Sequence, residues 1–188
     1  MEVSTLDYLL GIGGLLAQVI SLIFLLAFFF KDRRQSYAWP DKFLFLAGAF
    51  GLWASFFISL FGTILTFYYS EVLGVLPCGL CWLQRAFLYP QVILFGIALW
   101  KGGGEEKRIA DYAIGLSLAG ASVALYHHYL QMGGSKLAPC ISSLISDCST
   151  PTMMEFGYIT YPLLSFLSFI LIILFMIGVK SNQLNKLM

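Results

Sequence analysis

"FLFLAGAFGLWASFFISLFGTILTFYY", residues 43–69, decides the fold class. It holds no charged residue, and as a helix it runs about 40 Å, longer than the ~30 Å hydrocarbon core of a bilayer. It must tilt or protrude. A water-soluble core in a chain of 188 residues has no use for such a run. Four similar stretches flank it: Tyr8–Phe30 before it, then Trp82–Trp100, Ile109–Leu130 and Tyr158–Val179. The whole chain is 59% hydrophobic and 11% charged, against roughly 25% charged in an average globular protein. The sequence predicts an all-α, multi-pass membrane protein with no soluble domain. Tyr8–Phe30 lacks a basic front end and a small-residue cleavage site, and its charges, "KDRR", come after it. It reads as a retained span, not a signal peptide.

Lysine and arginine set the expected orientation. Grouping the connections alternately puts Lys31, Arg33, Arg34, Lys42, Lys101, Lys107, Arg108, Lys180 and Lys186 on one side. The other side has Lys136, with Arg85 just inside the third span. The basic side is expected in the cytoplasm. The N-terminus and the loops 70–81 and 131–157 then face outward, and the C-terminus faces inward. A net charge of +1 gives no basis for nucleic-acid binding. Residues 31–42, with Pro40 as a break, and "GGG" at 102–104 read as cytoplasmic turns. In the outer loop, Gly133 and Gly134 are expected to loosen the start. "CISSLIS", 140–146, reads as a short helix along the membrane surface.

All four cysteines, Cys78, Cys81, Cys140 and Cys148, fall on the outer side, where disulfides persist. Three pairings are possible, and proximity favours Cys78–Cys81 with Cys140–Cys148. In "LPCGLCWLQR", 76–85, Pro77 precedes a thiol pair at a helix start, where backbone N–H groups favour a thiolate. Arg85 follows Cys81 by one turn on the same face. It can stabilise the Cys81 thiolate or the anion of a bound acceptor, with Gln84 adding hydrogen bonds. The plainer alternative is a structural disulfide beside a snorkelling arginine. Cys140 and Cys148 are either a labile, oxidising bridge or a loop staple. Zinc is a third reading, but only the first pair has knuckle spacing, and no metal site is expected. Trp82 replaces the histidine that haem attachment needs. In "YHHYLQ", 126–131, His127 shares a face with Gln131 and can hydrogen-bond a carbonyl acceptor, or it packs among Tyr126 and Tyr129. Glu71, Asp147 and Glu155 read as solvated.

"PCGLCWLQR" opening one helix, "YHHYLQ" closing a later one, and a cysteine pair in the loop that follows together resemble the DsbB family of membrane disulfide-generating oxidoreductases, in its BdbC-like branch. VKOR-type enzymes place their loop cysteines before the Cys-x-x-Cys pair; here they come after it. The resemblance covers about 43–179. It implies a DsbB-like four-helix transmembrane bundle over 43–188, preceded by one extra N-terminal helix with its connection over 1–42. It further implies electron transfer from a DsbA-like thioredoxin-fold partner to a membrane quinone, ubiquinone or menaquinone, at the bacterial inner membrane. Cys78 and Cys81 resemble the quinone-coupled pair, Cys81 being the thiolate that contacts the ring. Arg85, Gln84, His127 and Gln131 resemble the quinone site, with His128 the lesser candidate. Cys140 and Cys148 resemble the pair that oxidises the partner, Cys140 being the mixed-disulfide site. The loop pair is closer together than in the enterobacterial form.

Overall fold

The computed structural model describes residues 2–31, 39–101, 106–135 and 147–187. Its elements are α1 (Glu2–Lys31), α2 (Trp39–Phe67), a π-helical turn (Tyr68–Val72), α3 (Gly79–Lys101), α4 (Glu106–Gln131) and α5 (Tyr161–Leu187). All five α-helices are long and apolar enough to cross a membrane. Among the described residues the only β structure is an isolated bridge, Glu155 to Ile159. Part of the predicted turns at 31–42 and 102–104, the surface helix at 140–146 and Cys140 lie outside the described residues.

Helices α2, α3, α4 and α5 form a closed ring in which each packs on the next. Helix α1 lies outside the ring, against α2 and α5. Lipid gives no hydrophobic drive for helix association, so close packing has to supply it. Helix α4 presents Ala110, Ala113, Ser117, Gly120 and Ala124 at alternating steps of three and four, and the ring of Phe169 lies on Gly120, where a Cβ would come within 2.4 Å of it. Phe95, Ile172 and Met176 fill the space beside it. Helices α2 and α5 touch almost backbone to backbone, since a Cβ at Gly48 would stand 2.5 Å from the Gly178 carbonyl oxygen. That contact lies at the end remote from Cys78 and Cys81, near the Asp111–Lys180 ion pair.

Several boundaries differ from expectation, each for a local reason. Pro40 lies in the first turn of α2, where its missing N–H costs nothing. Helix α5 starts at Tyr161, because the chain at 155–159 folds back with Phe156 and Gly157 at φ 51° and 79°. Gly133 and Gly134 fasten the end of α4. Gly133, at φ 90°, donates to the Leu130 carbonyl and Gly134 to that of Tyr129, closing a Schellman turn. Thus the predicted loosening at these glycines is a cap.

Candidate active site: a dithiol at the mouth of an apolar cavity

Cys78 immediately precedes α3, and Cys81 lies in its first turn. Both are free thiols, with sulfurs 3.1 Å apart. The Cys81 backbone N–H points at Cys78 Sγ, 3.4 Å away. From α4, His127 Nε2 stands 3.6 Å from the same sulfur. Gln84, one turn along α3, donates through Nε2 to His127 Nδ1 at 2.9 Å. With that nitrogen accepting, the ring proton sits on Nε2, toward Cys78. Three donors thus converge on one sulfur. The hydrogen bond from the Cys81 thiol draws the Cys78 thiol well below its ordinary range; burial opposes this, and His127 adds to the lowering. The donors of this reduced form thus converge on Cys78, whereas the resemblance assigns the ring-contacting thiolate to Cys81.

Arg85 is buried, but it does not reach back to bond a cysteine. Its guanidinium lies 5.2 Å from the centre of the Trp82 ring and donates to the Thr66 carbonyl and the Ser70 hydroxyl, at 3.1 and 3.4 Å. Neither acceptor is charged. The π-helical turn after α2 carries Ser70. Tyr89 further ties α3 to α2 through the Thr66 hydroxyl, 2.9 Å away.

Cys78, Cys81, Arg85, His127 and Gln131 all line one cavity of about 380 Å³, whose deeper walls are apolar, including Ile58, Leu88 and Leu171. That size and lining suit a small organic ligand. Gln131 Nε2 lies 3.4 Å from His127 Nε2, and its buried Oε1 has no hydrogen-bond partner among the described residues. Turned over, the amide would accept from His127 and leave its NH2 group free. In either orientation one polar group of Gln131 remains for a ligand.

The structure thus brings together the predicted Cys78, Cys81, Gln84, Arg85, His127 and Gln131. It separates the two histidines, because His128 turns to the Thr160 hydroxyl at 2.9 Å. Cys148 is buried and disulfide-bonded. Cys140 lies outside the described residues. Asp147 is exposed and accepts from Ser149, in keeping with a solvated role. The ligand atoms of Cys78, Cys81 and His127 also lie within 4.8 Å of one another, close enough for a metal.

Sequence reading missed a second cluster beside the cavity. Asp7 of α1 accepts from the hydroxyls of Tyr69 and Tyr161, at 2.5 and 2.8 Å. The two rings meet edge to face, 4.9 Å apart. The available signal was an acid placed inside an apolar segment, where a carboxylate needs partners.

Comparison with known proteins gives the family. The profile described as "Disulfide bond formation protein DsbB" matches residues 48–179. Disulfide bond formation protein C of Bacillus subtilis is 36% identical over 134 residues, covering 70% of this chain and 94% of the relative. A probable disulfide formation protein C 1 of Bacillus anthracis is 34% identical, covering 76% and 91%. A prophage-derived disulfide bond formation protein B of Bacillus subtilis is 40% identical over 125 residues, covering 66% and 80%. No solved structure matches. A five-helix membrane chain with a paired dithiol at a cavity mouth, matched over most of its length by these proteins, belongs to the DsbB family of disulfide bond formation proteins.

Proposed function

We propose that this protein re-oxidises a DsbA-like thioredoxin-fold partner on the outer side of a bacterial inner membrane and passes the electrons to a membrane quinone, ubiquinone or menaquinone. The observation that carries the reading is the Cys78–Cys81 dithiol opening onto an apolar cavity beside Arg85, a buried cation with no charged partner among the described residues. The names of the Bacillus relatives support the disulfide-forming half. The setting supports the other half. A partner as oxidising as DsbA, at about −120 mV, needs a still more oxidising acceptor, and each 30 mV is about tenfold in equilibrium.

A partner thiolate attacks the loop disulfide that includes Cys148, with Cys140 the expected site of the mixed disulfide. The second partner thiol releases an oxidised partner and leaves two loop thiols. These reduce the Cys78–Cys81 disulfide to the dithiol and are themselves re-oxidised. A bound quinone supplies the acceptor for two electrons and two protons. The chain's own residues prepare that step. His127, its tautomer fixed by Gln84, points its ring N–H at the Cys78 sulfur. Cys81 is the sulfur expected to face the acceptor, and the dithiol gives up two electrons and two protons as the Cys78–Cys81 bond re-forms. Arg85 offers a cation to an acceptor oxygen, and Gln131 offers an amide. The balance is partner dithiol plus quinone to partner disulfide plus quinol.

The test is to mix the purified chain with a reduced DsbA-like protein and ubiquinone-1 and to follow quinol formation. Turnover is expected, and Cys81→Ser should abolish it. Cys148→Ser should stop partner oxidation yet leave quinone reduction by dithiothreitol. Full turnover by Cys81→Ser overturns the assignment. The Cys78, Cys81 and His127 cluster favours zinc as a second reading. Stoichiometric zinc in the purified protein, with no quinol formed, would establish it instead.

A further inference from the structure

Helix α1 lies outside the residues that the family profile matches, yet it forms part of the cavity that holds the dithiol. Leu10, Gly13 and Ala17 line it together with Cys81, Arg85 and His127. The reason lies in how α2 and α5 meet. At the remote end they touch at Gly48, Gly51 and Gly178. At the dithiol end the π-helical turn that follows α2 meets α5 through the rings of Tyr69 and Tyr161. Between those two points both helices line the cavity, and α1 covers their shared edge.

Two features fix α1 there. Asp7 accepts from Tyr69 of the π-helical turn and Tyr161 of α5, so one carboxylate joins all three elements. The seam below it is tightly filled. A Cβ at Gly11 would stand 3.0 Å from Glu155, and one at Gly14 would stand 2.7 Å from Leu164. Gly13 differs, since a Cβ there would meet nothing within 4 Å. The open space beside it is the cavity.

Depth identifies what this wall faces. Gly13 lies six residues past Asp7, about 9 Å further along the helix, and Ala17 about 15 Å. Arg85 reaches Thr66, a single turn below Tyr69. Gly14 meets Leu164 and Ile159 and so stands level with the first turn of α5, with Ala17 one turn deeper, and the α1 wall borders the apolar part of the cavity beside the redox residues.

We propose that α1 is the wall of a channel for the isoprenoid tail of the quinone, with Gly13 and Ala17 kept small so that the first isoprene units lie against the helix. This rests on the quinone reading above and adds the element that selects for the tail. The test uses the full chain in nanodiscs, with dithiothreitol as reductant and two acceptors. One is menaquinone-4, which carries a tail, and the other is menadione, which has none. Gly13→Phe should lower the ratio of kcat/KM for menaquinone-4 over menadione by about tenfold. If that variant does not fold, Ala17→Phe should shift the ratio in the same direction. An unchanged ratio in a folded variant overturns the wall while leaving the quinone function standing. A wild-type protein that exchanges thiols but reduces neither acceptor overturns the quinone function and the wall together.

Discussion

Cys78 and Cys81 are the same chemical group three residues apart, yet their surroundings make them unlike. A backbone N–H, a thiol and an imidazole all point at Cys78. Its thiolate should persist below the ordinary thiol range. Alkylation of Cys78 by a small uncharged reagent, read by mass spectrometry across pH, should show a midpoint below the usual ~8.5. Removing the largest cause, by Cys81→Ala, should raise that midpoint and slow alkylation at pH 7 by about tenfold, because an unperturbed thiol is only a few per cent ionised there. A midpoint unmoved by Cys81→Ala and by His127→Ala would show that neither side chain sets it. The sequence placed both cysteines at a helix start, and the helix is there. It could not tell which sulfur the donors favour, because one donor comes from α4, 49 residues away.

Helix α4 shows what spacing can reveal at the scale of an element. Its inward positions run through 110, 113, 117, 120 and 124, and the same register continues to 127 and 131. That pattern alone turns His127 and Gln131 into the bundle and leaves His128 to one side, as the structure has it. The seam also explains why α4 is poor in large side chains. Gly120→Val would drive methyl groups into the Phe169 ring. Overpacking of this kind costs about 1–3 kcal/mol, so thermal unfolding in detergent should shift clearly downward. An unshifted melting temperature would mean that α4 and α5 can part without loss. The helix ends were less legible. The turn before α5 depends on a hairpin that lies against α1, with Phe156 5.8 Å from Tyr8, ring centre to ring centre, and Tyr158 donating to Gln18. A partner 140 residues away in sequence leaves no local trace.

For the whole molecule, five spans were plain from hydropathy, because a bilayer leaves a chain few alternatives. Their arrangement was not. Nothing in the apolar run of α1 indicates that it seats on the α2–α5 edge; only Asp7, read with two distant tyrosines, says so. Orientation is a property of the whole chain as well. An impermeant maleimide applied to intact cells after mild reduction should label Cys81 or Cys148, whereas Lys101→Cys, exposed at the opposite end, should react only after lysis. Labelling of position 101 in intact cells would invert the assignment.

The bridge between Glu155 and Ile159, held on α1, also gives the loop between α4 and α5 a fixed mooring. Six residues, 149–154, lie between it and Cys148, a tether of seven peptide steps. Fully drawn out, that tether spans at most about 25 Å. The sulfur of Cys148 therefore stays within about that distance of the hairpin. Any protein that exchanges electrons with it would have to bring its own cysteine within that distance of the hairpin.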